Sequence, residues 1–107
     1  MMMLNFDDLT FMVDQEQQEL ANVLGDTAKV MSRARMTFGQ YILSVIHFGK
    51  TGMYEIAVID AETDKFVRLP GIMSGDDDVM PYMTEPDVES IMKKLYFISE
   101  GKVDASN

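Results

Sequence analysis

The groups in this sequence most able to hold a cation are Asp76, Asp77 and Asp78, followed within a dozen positions by Glu85, Asp87 and Glu89. A calcium loop takes oxygen ligands from alternating positions, bends at a central glycine and closes on a glutamate. Three adjacent aspartates cannot all converge on one ion, and no glycine lies midway before Glu85. The pattern therefore predicts no metal. Two readings stay open. The acids are either a solvated loop leading into a helix whose dipole favours them, or a surface that meets a basic partner in the way a phosphate backbone would.

Catalytic groups are scarce. His47 is the only histidine, and no serine–carboxylate pair or cysteine stands in a spacing that would make it a general base. The stretch "GKTG" at 49–52 lacks the glycine spacing of a phosphate loop and joins two extended segments. The expectation is a non-enzyme with no cofactor.

Composition narrows the partners. At 107 residues the chain is long enough for one domain with one core. The net charge of −9 argues against direct nucleic-acid binding, which needs lysine and arginine for phosphates, and allows a basic protein surface instead. No apolar run approaches the ~18 residues of a membrane span, and no leader is evident. The absence of cysteine points to the cytoplasm. Eleven methionines suit either core gaps or an adaptable contact surface. Charge is also segregated: residues 27–52 carry only Lys29, Arg33, Arg35 and Lys50, whereas the first 26 carry six acids and no base.

The elements that would position these groups follow from periodicity. "DQEQQELANVLG" predicts a short N-terminal helix capped by Asp14 and stopped by Gly25. From Ala28 to Phe38 apolar and polar residues alternate with period two, which predicts a strand. Gly39-Gln40 fits a type II′ turn, and Tyr41–Phe48 returns as a central strand, apolar on both faces. "MYEIAVID" is a third strand and "FVRL" a short fourth, ended by Pro70. Residues 70–83 read as a loop. Thr84 then opens a capping box with Asp87, and Val88, Ile91, Met92, Leu95 and Ile98 mark one face of a helix that stops at Gly101. "KVDASN" reads as a frayed tail.

Turn length fixes register. A two-residue turn at 39–40 sets Met36 opposite Leu43 and Ala34 opposite Val45; a four-residue loop at 49–52 sets Val45 opposite Ile56 and Leu43 opposite Val58. Those residues form the face for the C-terminal helix. The opposite face carries Ile42, Ile46, Phe48 and Ile59, with Arg33, Arg35 and Glu55 among them. It is too apolar to stay wet, so either the N-terminal segment or a second chain covers it. Arg33 and Glu55 share a row across Ile46, as an intrasheet charge pair or as contacts to another molecule.

Four stretches, "NFDDLTF", "ARMTFGQYILSVI", "MYEIAVI" and "YMTEPDVESIMKKL", resemble a group of small accessory proteins of tailed bacteriophages, of unassigned function. The resemblance covers Asn5–Phe11 and most of Ala34–Leu95. This chain departs from the group's pattern with Gly39-Gln40 in place of Asn-Gly, Ile42 in place of glycine, and an acidic insertion around residues 14–26. The resemblance implies that "NFDDLTF" is a strand. It also implies a phage origin, where such proteins often bind and inhibit host enzymes or defence complexes.

The combined expectation is an α+β chain read as one domain: an acidic N-terminal segment with a helix (1–27), an antiparallel meander of three to four strands (28–69) and a C-terminal helix on one face (84–100). Its function is expected to be that of a non-enzymatic phage-type modulator or inhibitor in the host cytoplasm, binding a basic surface of a host protein through Asp76, Asp77, Asp78, Glu85, Asp87 and Glu89. The alternative is a structural or assembly protein, a homodimer or larger oligomer joined through Arg33, Arg35, Ile42, Ile46, Phe48 and Ile59.

Overall fold

The computed structural model describes residues 4–13, 31–48, 52–72 and 78–104. The helix expected from Asp14, the first residues of the first long strand, most of the 49–52 loop, and Asp76 and Asp77 lie outside them.

An antiparallel sheet is built on β2 (Met31–Phe38), β3 (Tyr41–Phe48) and β4 (Tyr54–Asp60), and α1 (Glu85–Ile98) packs on one side of it. The class is α+β. The meander has the expected register: Met36 pairs with Leu43, Ala34 with Val45, Leu43 with Val58 and Val45 with Ile56. Gly39 makes this possible. Its φ of 62° is the positive φ that the first central residue of a type II′ turn requires, and Gln40 keeps a negative φ. Because side chains alternate, this turn together with the β3–β4 register puts Ala34, Met36, Phe38, Leu43, Val45, Ile56 and Val58 on the same side, all at most 1% exposed. Val88, Ile91, Met92 and Leu95 of α1 close the core over them.

Five elements differ from expectation. "NFDDLTF" is not a strand: Phe6–Asp8 is a 3-10 turn, in which Asn5 N–H donates to Asp8 Oδ2 at 2.9 Å, a local closure that an extended chain cannot make. Strand β1 is only Met12–Val13, paired with Ser32 and Arg33. "FVRL" contributes a single bridge, Phe66 to Ile59, and no strand. The neighbour of β4 is instead β5 (Val79–Met83), taken from the stretch read as a loop. Pro81 is tolerated there because β5 is an edge, where a missing N–H is not needed. The tail is tied down too: β6 (Val103–Asp104) pairs with Phe38 and Thr37, and Gly39 N–H donates to the Lys102 carbonyl at 2.6 Å.

The strand order is β1-β2-β3-β4-β5, with β6 also on β2. Since β3 occupies one edge of β2, β1 and β6 share the other, one at each end of it. Ile98, expected on the buried face of α1, is 46% exposed because the helix ends there. Among the described residues, no helix is long and apolar enough to cross a membrane.

Candidate interaction site

The start of α1 gathers the acids. Thr84 caps the helix: its Oγ1 accepts the Asp87 N–H at 3.3 Å, and Asp87 Oδ2 accepts the Thr84 N–H at 3.0 Å. The backbone bond first, and then the Thr84 hydroxyl donating to the same Oδ2 at 2.8 Å, hold the Asp87 carboxyl below the ordinary aspartate range. One turn on, Glu89 Oε1 accepts the Phe6 N–H at 2.9 Å, and Oε2 lies 3.7 Å from Lys93 Nζ, an i,i+4 pair. The 3-10 turn is thereby fastened to α1. It brings Asp7 and Asp8, both exposed, to the same end of the molecule. A shallow hollow of about 260 Å³ lies between Phe6, Asp7, Glu85, Pro86 and Glu89.

Beneath the acids is an aromatic cluster. Tyr54 stacks on His47 with ring centroids 4.8 Å apart and meets Phe6 edge-on at 5.1 Å, while Phe11 packs 5.7 Å from Tyr54. The Tyr54 hydroxyl donates to Glu85 Oε1 at 3.4 Å. Burial, then the charge and hydrogen bond of Glu85, push the phenol above its usual range. His47 is thus a packing residue on the helix side of the sheet, next to Ser32 and Tyr54 in register.

Glu85, Asp87 and Glu89 therefore come together, but Asp78 does not join them. Because 79–83 is a strand, Asp78 lies at its far end, ~17 Å away along an extended chain, where it faces Arg68 at 3.6 Å. Among the described residues no set of three acidic or histidine side chains is arranged to hold a metal ion.

Sequence reasoning missed Tyr82. It is 78% exposed and adopts φ 62°, a left-handed conformation that costs a non-glycine residue energy. It stands two residues before the Thr84 cap. The signal available was the pair Pro81-Tyr82, an exposed-edge proline followed by an aromatic.

The second sheet face presents a different surface. Ile42, Ile46, Phe48 and Ile59 are half-buried and lie outside the core cluster, while Ser44 and Ala57 form a buried floor. A groove of about 160 Å³ runs between Arg33, Arg35, Ile46, Glu55, Ile59 and Phe66. Arg33, Ile46 and Glu55 are direct neighbours across three strands. Among the described residues Arg33 and Glu55 form no ion pair, so an intrasheet bridge does not account for them.

No family model, curated protein or solved structure matches the chain.

Proposed function

We propose that this chain is a non-enzymatic interaction protein, of the phage accessory kind its motifs resemble, acting in the host cytoplasm. Its acidic end docks on a basic surface of a host protein and blocks it. The observation that carries this reading is Tyr82, a largely exposed aromatic held in a strained backbone two residues before the Thr84 cap, where the acidic end of α1 begins. Aromatic anchors within a charged rim dominate protein interfaces energetically, and strain is retained where the surrounding structure holds a residue for use. Asp7, Asp8, Glu85, Asp87 and Glu89 supply the rim. Each sits on an element fixed by hydrogen bonds, so little backbone entropy is lost on docking.

The test is capture from a bacterial lysate at low and high salt, followed by titration of the captured protein. The reading predicts a partner released by salt, with affinity lowered about thirtyfold by Tyr82→Ala. It also predicts a shallower salt dependence when Asp7 and Asp8 are changed to asparagine. A partner indifferent to Tyr82→Ala and to salt would refute it, as would no capture above background.

A further inference from the structure

We infer that the second sheet face is the seat of a second copy of this chain, packed face to face about a two-fold axis that runs along β3. This rests on observations separate from those behind the acidic docking end.

The edges of the sheet are poor sites for association. On the β5 side, Pro81 has no N–H to donate, Tyr82 turns the backbone to φ 62°, and the pairing with β4 shifts register between Tyr54 and Ile56. On the β2 side, β1 and β6 are paired to the two ends of the strand. What remains is the face, with Ile42, Ile46, Phe48 and Ile59 incompletely covered and Phe66 53% exposed at its margin.

The charges on this face specify the occupant. The row Arg33–Ile46–Glu55 reads positive, apolar, negative across β2, β3 and β4. A half-turn about an axis along β3 exchanges β2 with β4 and places Ile46 over its own copy. It also sets Arg33 of each chain over Glu55 of the other. The row is thus self-complementary under the symmetry that most dimers use. Aligned sheets stack about 10 Å apart, a gap that an arginine and a glutamate reaching toward each other can span. Ile42, on the same strand as Ile46, also meets its copy on the axis. Three strands of seven or eight residues, with the five-residue β5 beside them, give a face of at most ~25 by ~19 Å, so two copies bury up to about 1,000 Å². That is the low end for a specific interface, and it sets the expected dimer in the micromolar range.

The experiment is sedimentation equilibrium of the whole chain at up to ~200 µM in ~0.15 M salt. A reversible monomer–dimer equilibrium is expected. Arg33→Glu and Glu55→Arg, each confirmed folded by circular dichroism, place two like-charge contacts in every homodimer and each weakens it about tenfold. Mixing the two variants restores attraction at both contacts. Their heterodimer forms within about threefold of the original affinity, an outcome that an intrachain pair cannot produce. A strict monomer, with Ile46→Asp unfolding the chain, means that the chain's own residues cover this face and overturns the inference. So does a dimer whose strength ignores both charge reversals, because its interface is then elsewhere.

Discussion

The two faces of this sheet are made from the same three strands, yet one is finished and the other is not. On the helix side, seven side chains from β2, β3 and β4 are at most 1% exposed, and α1 closes over them. On the other side, residues that alternate with those seven, such as Ile42, Ile46 and Ile59, reach only partial burial beside Arg33 and Glu55. The seven fully buried side chains of the first face are all apolar, so what they contribute is stability. The second mixes apolar and charged groups in one row, which costs stability if left bare and gives directional contacts if covered. The difference teaches that hydrophobic content alone does not rank the faces; the presence of charge among the apolar residues does.

Neighbouring residues of β3 break that comparison most sharply. Leu43 faces the core and is fully buried, whereas Ile42 faces the other way and is half-buried. Leu43→Ala removes packing against α1 and leaves a cavity, so it should cost ~2–5 kcal/mol. Ile42→Ala should cost less than ~1.5 kcal/mol in dilute solution, because a half-buried site loses less contact. Urea unfolding of both variants at the same low concentration measures the gap. Equal losses would mean the second face is as fully packed as the first.

The next largest effect falls on the turn that assigns residues to faces. Gly39→Ala would place a side chain at φ 62°, and its Cβ would come within 3.2 Å of Ser99 Cβ. Strain and crowding together should cost ~1–3 kcal/mol. Because Gly39 N–H also holds the Lys102 carbonyl, the loss should be accompanied by faster amide exchange at Phe38 and Val103, where β6 pairs with β2. A neutral substitution would show that the parity of the two faces does not depend on this turn.

How much of this was legible in the sequence depended on how local its cause was. Period-two alternation and two short connections, at 39–40 and 49–52, were enough for β2, β3 and β4, because register across a short turn is decided within a few residues. The Thr84 cap was legible for the same reason. The edges were not. Whether 66–69 or 79–83 lies beside β4, and whether Val103–Asp104 or solvent completes β2, is settled by distant backbone groups that need partners. Pro81 made the correct segment resemble a loop. The acids were legible by type but not by place: once 79–83 is a strand, Asp78 is carried away from Glu85, and the 3-10 turn brings Asp7 and Asp8 in from the opposite end of the chain. The exposure of Tyr82 follows from a backbone irregularity in β5 that no side-chain pattern announces.

A smaller effect sharpens the comparison by acting on the lid of the finished face alone. Thr84→Ala removes the acceptor of the Asp87 N–H at the start of α1, at a cost of ~1 kcal/mol. Any dimer through the second face should keep its affinity, since α1 lies on the other side of the sheet. Unfolding and sedimentation on one preparation separate the two readouts. A weaker dimer in this variant would mean that the faces are coupled.

The finest distinction is in pH. Asp87 titrates below the ordinary aspartate range in the folded chain because its carboxylate accepts the Thr84 N–H and hydroxyl. A carboxyl depressed on folding stabilises the native state fully above its unfolded pKa of ~3.9, and that contribution fades as pH falls through the lower folded value. Asp87→Asn keeps an acceptor for Thr84 but loses the charge near the helix N-terminus, so it should be less stable at neutral pH. The gap between the two chains should hold steady down to about pH 5 and then narrow as the carboxylate protonates. Thermal unfolding from pH 7 to 3 follows it directly. Acid would then loosen the helix-covered face by way of its cap. A gap that stayed constant to the lowest pH would show that the asparagine acts only through geometry, and that the charge of Asp87 plays no part in holding α1 on the sheet.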